Sequence, residues 1–218
     1  MDPEVIVATL GFDADFVLRR LMRGASGRVV LLALRVDESS WARVDSAFKL
    51  IQAFCSYNKV NCTLEPVSTT RSIVEIYSIL RREVEKHKSL ELFLTGGPRI
   101  MVVSTLIASL LLLPEHAEKV RVVVEGEAFP ATIEVDIGIL QKLLLLDEAE
   151  RRILVALLQY DKGLTAPKIV AISKVPKTST YRKLKTLETL NLLERDNGRY
   201  MLTSKVREAL KNLIIPST

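Results

Sequence analysis

The chain has 218 residues, of which 48% are hydrophobic and 26% are charged, a balance typical of one large or two small globular domains. Asp2 and Glu4 make the start acidic, whereas a signal peptide begins with basic residues. The longest apolar run, residues 100–113, is shorter than the roughly 20 residues that a membrane-spanning helix needs. The composition therefore predicts a cytoplasmic protein without a membrane segment.

The net charge of +5 is unevenly distributed along the chain. Residues 1–140 contain 16 Lys and Arg against 18 Asp and Glu, whereas residues 141–218 contain 15 against 8, a net of +7. A basic second half is typical of a segment that binds a polyanion such as nucleic acid. A lysine-rich solvated surface is the alternative explanation of the same count.

Strands and helices alternate through the first half of the chain. Short apolar runs rich in β-branched residues predict strands at residues 4–10, 28–36, 61–67, 90–95 and 120–125. Helical spacing predicts helices between these strands, with Ser39 or Ser40 capping the second and Thr69 or Thr70 the third. A sixth strand, residues 129–135, follows a turn at Gly126 and is expected to pair antiparallel. The pattern predicts an α/β, Rossmann-like fold with a mainly parallel sheet flanked by helices.

Metal and nucleotide-hydrolysis motifs are absent from the sequence. The only two histidines, His87 and His116, lie 29 positions apart in Lys- and Glu-rich surroundings. Two cysteines are too few for a disulfide framework, and Cys55 lies on the apolar side of a predicted helix, where we expect it to pack. Neither G-x-G-x-x-G nor G-x-x-x-x-G-K-[ST] occurs. These absences predict no metal and no ATPase activity.

The loop after the first predicted strand is one candidate ligand site, because parallel sheets bind ligands beyond the carboxyl ends of their strands. Its residues are Thr9, Leu10, Gly11, Phe12 and Asp13. Gly11 lets a ligand approach the backbone closely, and a helix with free N–H groups begins just after it. Asp13 has an alternative role as a plain helix N-cap.

The loop after the fourth predicted strand is the second candidate. It contains Thr95, Gly96, Gly97, Pro98 and Arg99, and the following helix includes Met101. Two glycines and Pro98 before a helix N-terminus form an anion-binding loop. Arg99 opposes the helix dipole unless an anion binds beside it, so we favour an anion site. The alternative is that Arg99 reaches solvent or pairs with a carboxylate.

The second half predicts a winged helix-turn-helix. Asp147 and Glu150 resemble a capping box, and residues 173–176 form a turn between two short helices. Asn197 and Gly198 mark a two-stranded hairpin, the wing, and a last helix follows from Thr203. Small polar and basic residues on the third helix and the wing are the candidate DNA contacts. They are Lys177, Thr178, Ser179, Thr180, Arg182, Lys183, Lys185, Arg195, Asn197 and Arg199. The alternative is a domain that mediates protein contact without DNA.

Residues 137–146 join the two halves and are apolar almost all round. That is more apolar surface than one domain needs to bury, which suggests a linker helix at a subunit interface. The predicted organisation is a ligand-sensing domain at 1–136, a linker and dimerisation helix at 137–146, and a DNA-binding domain at 147–218.

The two loop motifs followed by a winged helix resemble the CRISPR-associated transcription regulators with an N-terminal CARF (CRISPR-associated Rossmann fold) domain. The first family motif is similar to Thr9, Gly11, Phe12 and Asp13, and the second to residues 96–99 with Met101. Pro98 departs from the family pattern and is expected to change the flexibility of its loop. The resemblance covers essentially the whole chain.

The resemblance implies a homodimer whose crevices meet at the two-fold axis and bind a cyclic oligoadenylate, with cyclic tetra-adenylate as the expected effector. Such a ring is itself two-fold symmetric and polyanionic, so it can engage both copies of one loop. The resemblance thus implies that phosphates are bound by Gly11, Gly96, Gly97 and Arg99. Thr9, Phe12, Asp13 and Met101 shape the base and ribose contacts, and the two winged helices read double-stranded DNA.

Three alternatives to a non-enzymatic regulator remain open at this point. Some related sensor domains are ring nucleases that cleave the cyclic oligoadenylate, but neither motif offers an obvious base or lysine. A regulator that senses another small anion is the second. The third is a DNA-binding protein whose α/β domain only dimerises, so that Arg99→Ala would change nothing but stability.

Overall fold

The computed structural model describes residues 3–24, 27–126 and 131–214, and it divides into two compact units, Met1–Gly138 and Ile139–Thr218. Within the described residues no helix is both long enough and apolar enough to cross a bilayer. Each unit is described by itself below.

The first unit is built on a six-stranded sheet in the order β3-β2-β1-β4-β5-β6. Five strands are parallel, and β6 pairs antiparallel to β5, as expected from the Gly126 turn. The strands are β1 (Val5–Leu10), β2 (Arg28–Arg35), β3 (Asn61–Ser68), β4 (Leu90–Phe93), β5 (Val120–Glu125) and β6 (Thr132–Asp136). Residues 129 and 130 of the predicted sixth strand lie outside the described residues. The predicted fold class is confirmed.

Five helices surround this sheet: α1 (Asp15–Met22), α2 (Glu38–Tyr57), α3 (Ser72–Lys86), α4 (Arg99–Leu110) and α5 (Pro114–Ala117). The sheet has an apolar core on each face. The side chains of β1 enter these two cores alternately, because successive side chains of a strand point to opposite faces. Ile6 packs with α1 and α2, whereas Val7 packs with α3, α4 and α5. The helices thus change face between the neighbouring strands β1 and β4. Such a switch point opens a crevice at the carboxyl edge of the sheet.

Two predicted helix caps are wrong. Asp37 caps α2, and its carboxylate accepts the Ser40 backbone N–H at 2.7 Å, so neither Ser39 nor Ser40 is the cap. Helix α3 begins after Arg71 without a side-chain cap, so neither Thr69 nor Thr70 caps it. Both predictions place the cap at a Ser or Thr close to the expected helix start, but each helix begins at a different residue.

Cys55 is buried as predicted, but it is not a free packing residue. Its sulfur is bonded to that of Cys62, with 6.1 Å between the two Cα atoms. Cys55 lies near the end of α2 and Cys62 lies in β3, so the bond ties a helix to the strand that follows it. Their separation of seven residues does not predict the pairing, because the turn between them decides whether the side chains meet.

Glu83 of α3 is a buried carboxylate, 1% exposed. The Arg28 guanidinium donates two hydrogen bonds to it, at 2.7 and 3.1 Å, and Arg82 donates a third at 3.0 Å. Burial raises the pKa of the Glu83 carboxyl, but the two arginines outweigh that effect and lower the pKa below its usual 4.5. The charged form is therefore part of the folded structure.

Glu83→Gln is expected to lower the free energy of unfolding of the first unit by about 3 kcal/mol at pH 7, since breaking a buried ion pair leaves its partners unsatisfied. A carboxyl with a lowered folded-state pKa stabilises the fold above its unfolded pKa and loses that effect as pH falls through the folded pKa. The difference between wild type and variant should therefore shrink below about pH 4.5. Urea titrations followed by the single tryptophan, Trp41, measure it. A difference that is constant with pH would contradict the assignment.

The second unit contains α6 (Ile137–Leu144), α7 (Glu148–Leu158), β7 (Leu164–Thr165), α8 (Ala166–Ser173), α9 (Lys177–Thr189), β8 (Leu193–Asp196), β9 (Arg199–Leu202) and α10 (Ser204–Ile214), with the start of α6 in the first unit. The predicted capping box at Asp147 and Glu150 is present. Asn197 and Gly198 both have positive φ, 46° and 76°, as a tight hairpin turn requires. Strand β7 was not predicted, and it adds a third strand to the wing by pairing with β9.

Most of the apolar side chains in residues 137–146 pack within their own unit. Ile137 is buried in the core of the first unit, and Ile139, Leu143 and Leu146 pack in the core of the second. Only Leu144 and Leu145 are strongly exposed, at 59% and 86%. Intrachain packing thus accounts for much of the apolar run. Its dimerisation role stays a prediction.

Candidate functional site

The two glycine-containing loops at the carboxyl edge touch backbone to backbone. A Cβ placed on Gly11 would lie 3.0 Å from the Gly97 Cα, and one on Gly97 would lie 3.2 Å from the Leu10 carbonyl oxygen. Gly97 also has φ of +87°, a conformation that side chains disfavour. The β1–α1 and β4–α4 loops therefore form one continuous backbone surface, and their contact requires glycine at both positions.

Two threonines from the predicted motifs hold these loops in place. The Thr9 hydroxyl is fully buried and donates to the Gly96 carbonyl. The Thr95 hydroxyl is also buried and accepts the Glu125 backbone N–H at 2.8 Å. Neither threonine is among the described residues that line the cavity at this edge. The prediction of a base or ribose contact for the Thr9 side chain is therefore not supported, and the structure makes it a positioning residue.

A cavity of about 480 Å³ opens beside the loop contact. It is large enough for a nucleotide-sized ligand. Seven of the predicted ligand-site residues line it, and the side chains added by other elements are mainly apolar. The lining residues are Leu10, Gly11, Phe12, Asp13, Phe16, Leu34, Val36, Ser40, Val44, Gly96, Gly97 and Pro98.

The N-terminus of α4 supplies hydrogen-bond donors at the edge of this cavity. Pro98 is the N-cap residue rather than the first helical residue, and Arg99 begins the helix. The backbone N–H groups of Gly97, Arg99 and Ile100 donate to no other described residue. The exposed Arg99 side chain likewise has no hydrogen bond or ion pair within the described parts of the chain. Free N–H groups and a free guanidinium suit an anion.

Two other predicted ligand residues differ in their outcome, since Asp13 lines the cavity and Met101 does not. Met101 is fully buried in the core against α3 and α5, so it does not reach the cavity. Asp13 lines the cavity, and its carboxylate accepts the Asp15 backbone N–H at 2.9 Å. The N-cap position of α1 is Ala14, so Asp13 supports the turn before the helix without being the cap.

Side chains from β2 and α2 were missed by the sequence analysis. Leu34 lies near the end of β2 and Val36 follows that strand, while Ser40 and Val44 come from the start of α2. They belong to no loop motif. The one signal for them is topological, because β2 lies next to β1 in the sheet and its carboxyl end reaches the same edge.

Five of the seven predicted DNA-contact residues of α9 lie at least partly at its surface. Lys177, Thr178, Arg182 and Lys185 are exposed, Ser179 is half-buried, and the three cations among them form no ion pair with other described residues. Thr178, Arg182 and Lys185 are spaced to share one helix face. Tyr181 of the same helix is 44% exposed. The helix presents a basic stripe opposite the buried Leu184 and Leu187.

The other two α9 residues are not available for DNA. Thr180 is fully buried, and its hydroxyl donates to the Val175 and Pro176 carbonyls at 3.1 and 3.2 Å. The Lys183 ammonium contacts the carboxylates of Asp147 and Glu150 at the start of α7. Its hydrogen bond to Asp147 raises the pKa of Lys183 and lowers the pKa of Asp147. We correct both assignments: these residues hold α9 in place.

The wing carries its two arginines at the predicted positions. Arg195 and Arg199 are exposed on β8 and β9, flanking the turn at Asn197. The Arg195 guanidinium lies over the Tyr200 ring, 5.3 Å from its centroid. Among the described residues no group of three or more His, Cys, Asp or Glu is placed to hold a metal ion.

A doubly wound domain with a cavity at the carboxyl edge of its sheet is thus joined, in one chain, to a winged helix with a basic helix. The sequence model of the Csa3 CRISPR-associated Rossmann-like domain matches residues 4–136, and the chain belongs to that family. The model of the sugar-specific transcriptional regulator TrmB matches residues 140–211. The resemblance drawn from the loop motifs is thereby confirmed.

Several solved structures are similar over nearly the whole chain. They include Can2 from Sulfobacillus thermosulfidooxidans in complex with cyclic tetra-adenylate, with 12% identity and a TM-score of 0.42 over 96% of this chain. Protein VC1899 from Vibrio cholerae has 8% identity and a TM-score of 0.43 over 95%. A type III CRISPR defence DNA nuclease activated by cyclic oligoadenylate has 13% identity and a TM-score of 0.45 over 93%. The chain matches 61%, 64% and 37% of their respective lengths. No curated protein matches the sequence.

Proposed function

We propose that this protein is a dimeric transcription regulator of CRISPR-Cas genes that binds cyclic tetra-adenylate in the cavity of the first unit and double-stranded DNA through the winged helix. The observation that carries the proposal is the backbone contact between the Gly11 and Gly97 loops beside Arg99, whose side chain has no partner within the described residues. Family membership supports a CRISPR-related signal as the ligand.

The chemistry of the cavity suits a nucleotide with an anionic backbone. The free N–H groups at the start of α4 and the Arg99 guanidinium bind phosphate oxygens. The apolar walls formed by Leu34, Val36 and Val44 take a base away from water. A site with both features favours a nucleotide over a simple inorganic anion.

An apolar stripe on α4 supports the dimer. Ile100, Val103, Ile107 and Leu111 follow one another along the helix surface and are 48%, 55%, 38% and 59% exposed. Apolar surface of this kind on a folded protein marks an interaction site. The stripe begins one residue after Arg99, so a second copy that covers it lies next to the ligand site. A two-fold symmetric ligand then contacts the same loop of both protomers.

DNA binding rests on the exposed stripe of α9. Thr178, Arg182 and Lys185 enter the major groove or contact phosphates, and Arg199 on the wing contacts the backbone or minor groove. The match of this unit to a transcriptional regulator supports the assignment. The ligand changes DNA affinity by favouring one dimer arrangement, with residues 137–146 as the proposed coupling segment.

Arg99→Ala is expected to weaken cyclic tetra-adenylate binding at least 30-fold, or about 2 kcal/mol, because a charge-assisted hydrogen bond is lost in each protomer. Calorimetric titration of wild type should give one ligand per dimer. Arg81→Ala is the matched control, since Arg81 is exposed and pairs with Glu85 on its own helix. Binding by wild type that is unchanged in Arg99→Ala would remove the anion site from the proposal.

We further propose that the protein is not an enzyme. Among the described residues that line the cavity there is no lysine or histidine, which supports binding without ring cleavage. Incubation with cyclic tetra-adenylate followed by chromatography should return the intact ring. Linear products would identify a ring nuclease instead.

A further inference from the structure

Arg43 lies over the ring of Phe12 at the cavity. Its guanidinium carbon is 3.8 Å from the ring centroid, a close cation–π contact. Phe12 is 49% exposed and lines the cavity, and Arg43 is exposed on α2 one residue before Val44, which also lines it. Arg43 thus lies beside the site but belongs to neither glycine loop.

The donors of Arg43 have no partner within the described residues. Its guanidinium forms no ion pair or hydrogen bond there, although it carries five N–H donors. Arg35 offers a direct comparison, because it lies 5.6 Å from the centroid of the Trp41 ring but also bonds to Glu38. Arg43 is therefore held by an aromatic ring while all of its donors remain available.

We propose that Arg43 is a ligand-binding residue whose guanidinium, held on the Phe12 ring, contacts a phosphate of the bound adenine nucleotide. A planar guanidinium matches the geometry of phosphate, and a side chain already held against a ring loses little freedom on binding. The site then has two cations, Arg43 from α2 and Arg99 from α4. The identity of the nucleotide rests on the function proposed above.

The experiment compares Arg43→Ala and Arg43→Lys with wild type, and Arg35→Ala is the matched control. Cyclic tetra-adenylate binding is measured by calorimetry. Adenosine 5′-monophosphate and adenosine, which differ only in the phosphate, are measured by saturation-transfer NMR. Trp41 lies two residues from Arg43, so its fluorescence reports binding independently.

If Arg43 contacts a phosphate, its replacement should weaken the binding of the phosphate-containing ligands and not that of adenosine. Arg43→Ala should weaken cyclic tetra-adenylate about 30-fold and the monophosphate about tenfold, and should change adenosine by less than about twofold. Arg43→Lys should recover part of the loss, since it keeps the charge without the planar donors. Arg35→Ala should bind all three ligands as wild type does.

Two results would overturn the inference. One is an Arg43→Ala variant that binds as wild type, and the other is an equal loss for adenosine and its monophosphate, which would reduce Arg43 to a support for Phe12. If wild type binds the monophosphate but not cyclic tetra-adenylate, the proposed function fails and the monophosphate comparison still decides the role of Arg43. If wild type binds none of the three, both are wrong.

Discussion

Gly97→Ala is expected to weaken ligand binding strongly while leaving the rest of the protein folded. The new Cβ would lie 3.2 Å from the carbonyl carbon and oxygen of Leu10, at a φ of +87° that alanine disfavours. The two loops must then separate, so the N–H groups of α4 lose their position beside Gly11. We expect the affinity for cyclic tetra-adenylate to fall about 100-fold or more, roughly 3 kcal/mol, in calorimetric titrations.

Two further glycine variants make this expectation specific. Gly11→Ala should act in the same direction, since its Cβ would meet the Gly97 Cα at 3.0 Å. Gly27→Ala is the matched control, because no atom of the described residues, its chain neighbours apart, lies within 4 Å of its Cβ position. All three variants should bind DNA like wild type when no ligand is present. A Gly97→Ala protein that binds ligand normally would show that the loop contact is not part of the site.

Arg182→Ala is expected to weaken DNA binding about 10- to 100-fold. Arg182 lies on the exposed stripe of α9 and has no ion-pair partner among the described residues, so its charge is available to phosphates or base edges. Fluorescence anisotropy with a duplex of about 30 base pairs, repeated between about 50 and 200 mM salt, measures the change. If Arg182 contacts a phosphate in each protomer, the log–log salt slope should fall by about two.

Lys183→Ala tests whether the effect of Arg182→Ala comes from the loss of a direct DNA contact or only from the loss of one positive charge. Lys183 is the next residue and carries the same charge, but it contacts Asp147 and Glu150. Its replacement should lower the stability of the second unit and leave the salt slope unchanged. Equal effects of the two variants on DNA affinity would contradict the orientation of α9. Lys185→Ala should behave like Arg182→Ala, because it shares the exposed face.

The architecture was predictable because it follows from local patterns of apolar and polar residues in the sequence. Apolar runs of strand length alternate with helical spacing, and this identified the parallel sheet and the antiparallel β6. The Asn197–Gly198 turn and the Asp147 capping box were predictable for the same reason, since each depends on residues close together in sequence. The two glycine loops were found because a parallel sheet exposes the carboxyl ends of its strands at one edge.

The assignment of individual side chains depended on tertiary contacts. Thr9, Met101, Thr180 and Lys183 are of suitable chemical type and lie in suitable segments, yet each is buried or paired. Which face of a helix points inward, and which carboxylate lies near, depends on residues far away in the chain. The same holds for the Cys55–Cys62 bond and for Arg43, which meets Phe12 only because α2 follows β2 to the edge where β1 ends. The sequence by itself determined the fold, the family and the two loops, because these follow from local spacing. Only the tertiary structure decided which side chains remain free to bind, because burial and pairing arise between distant segments.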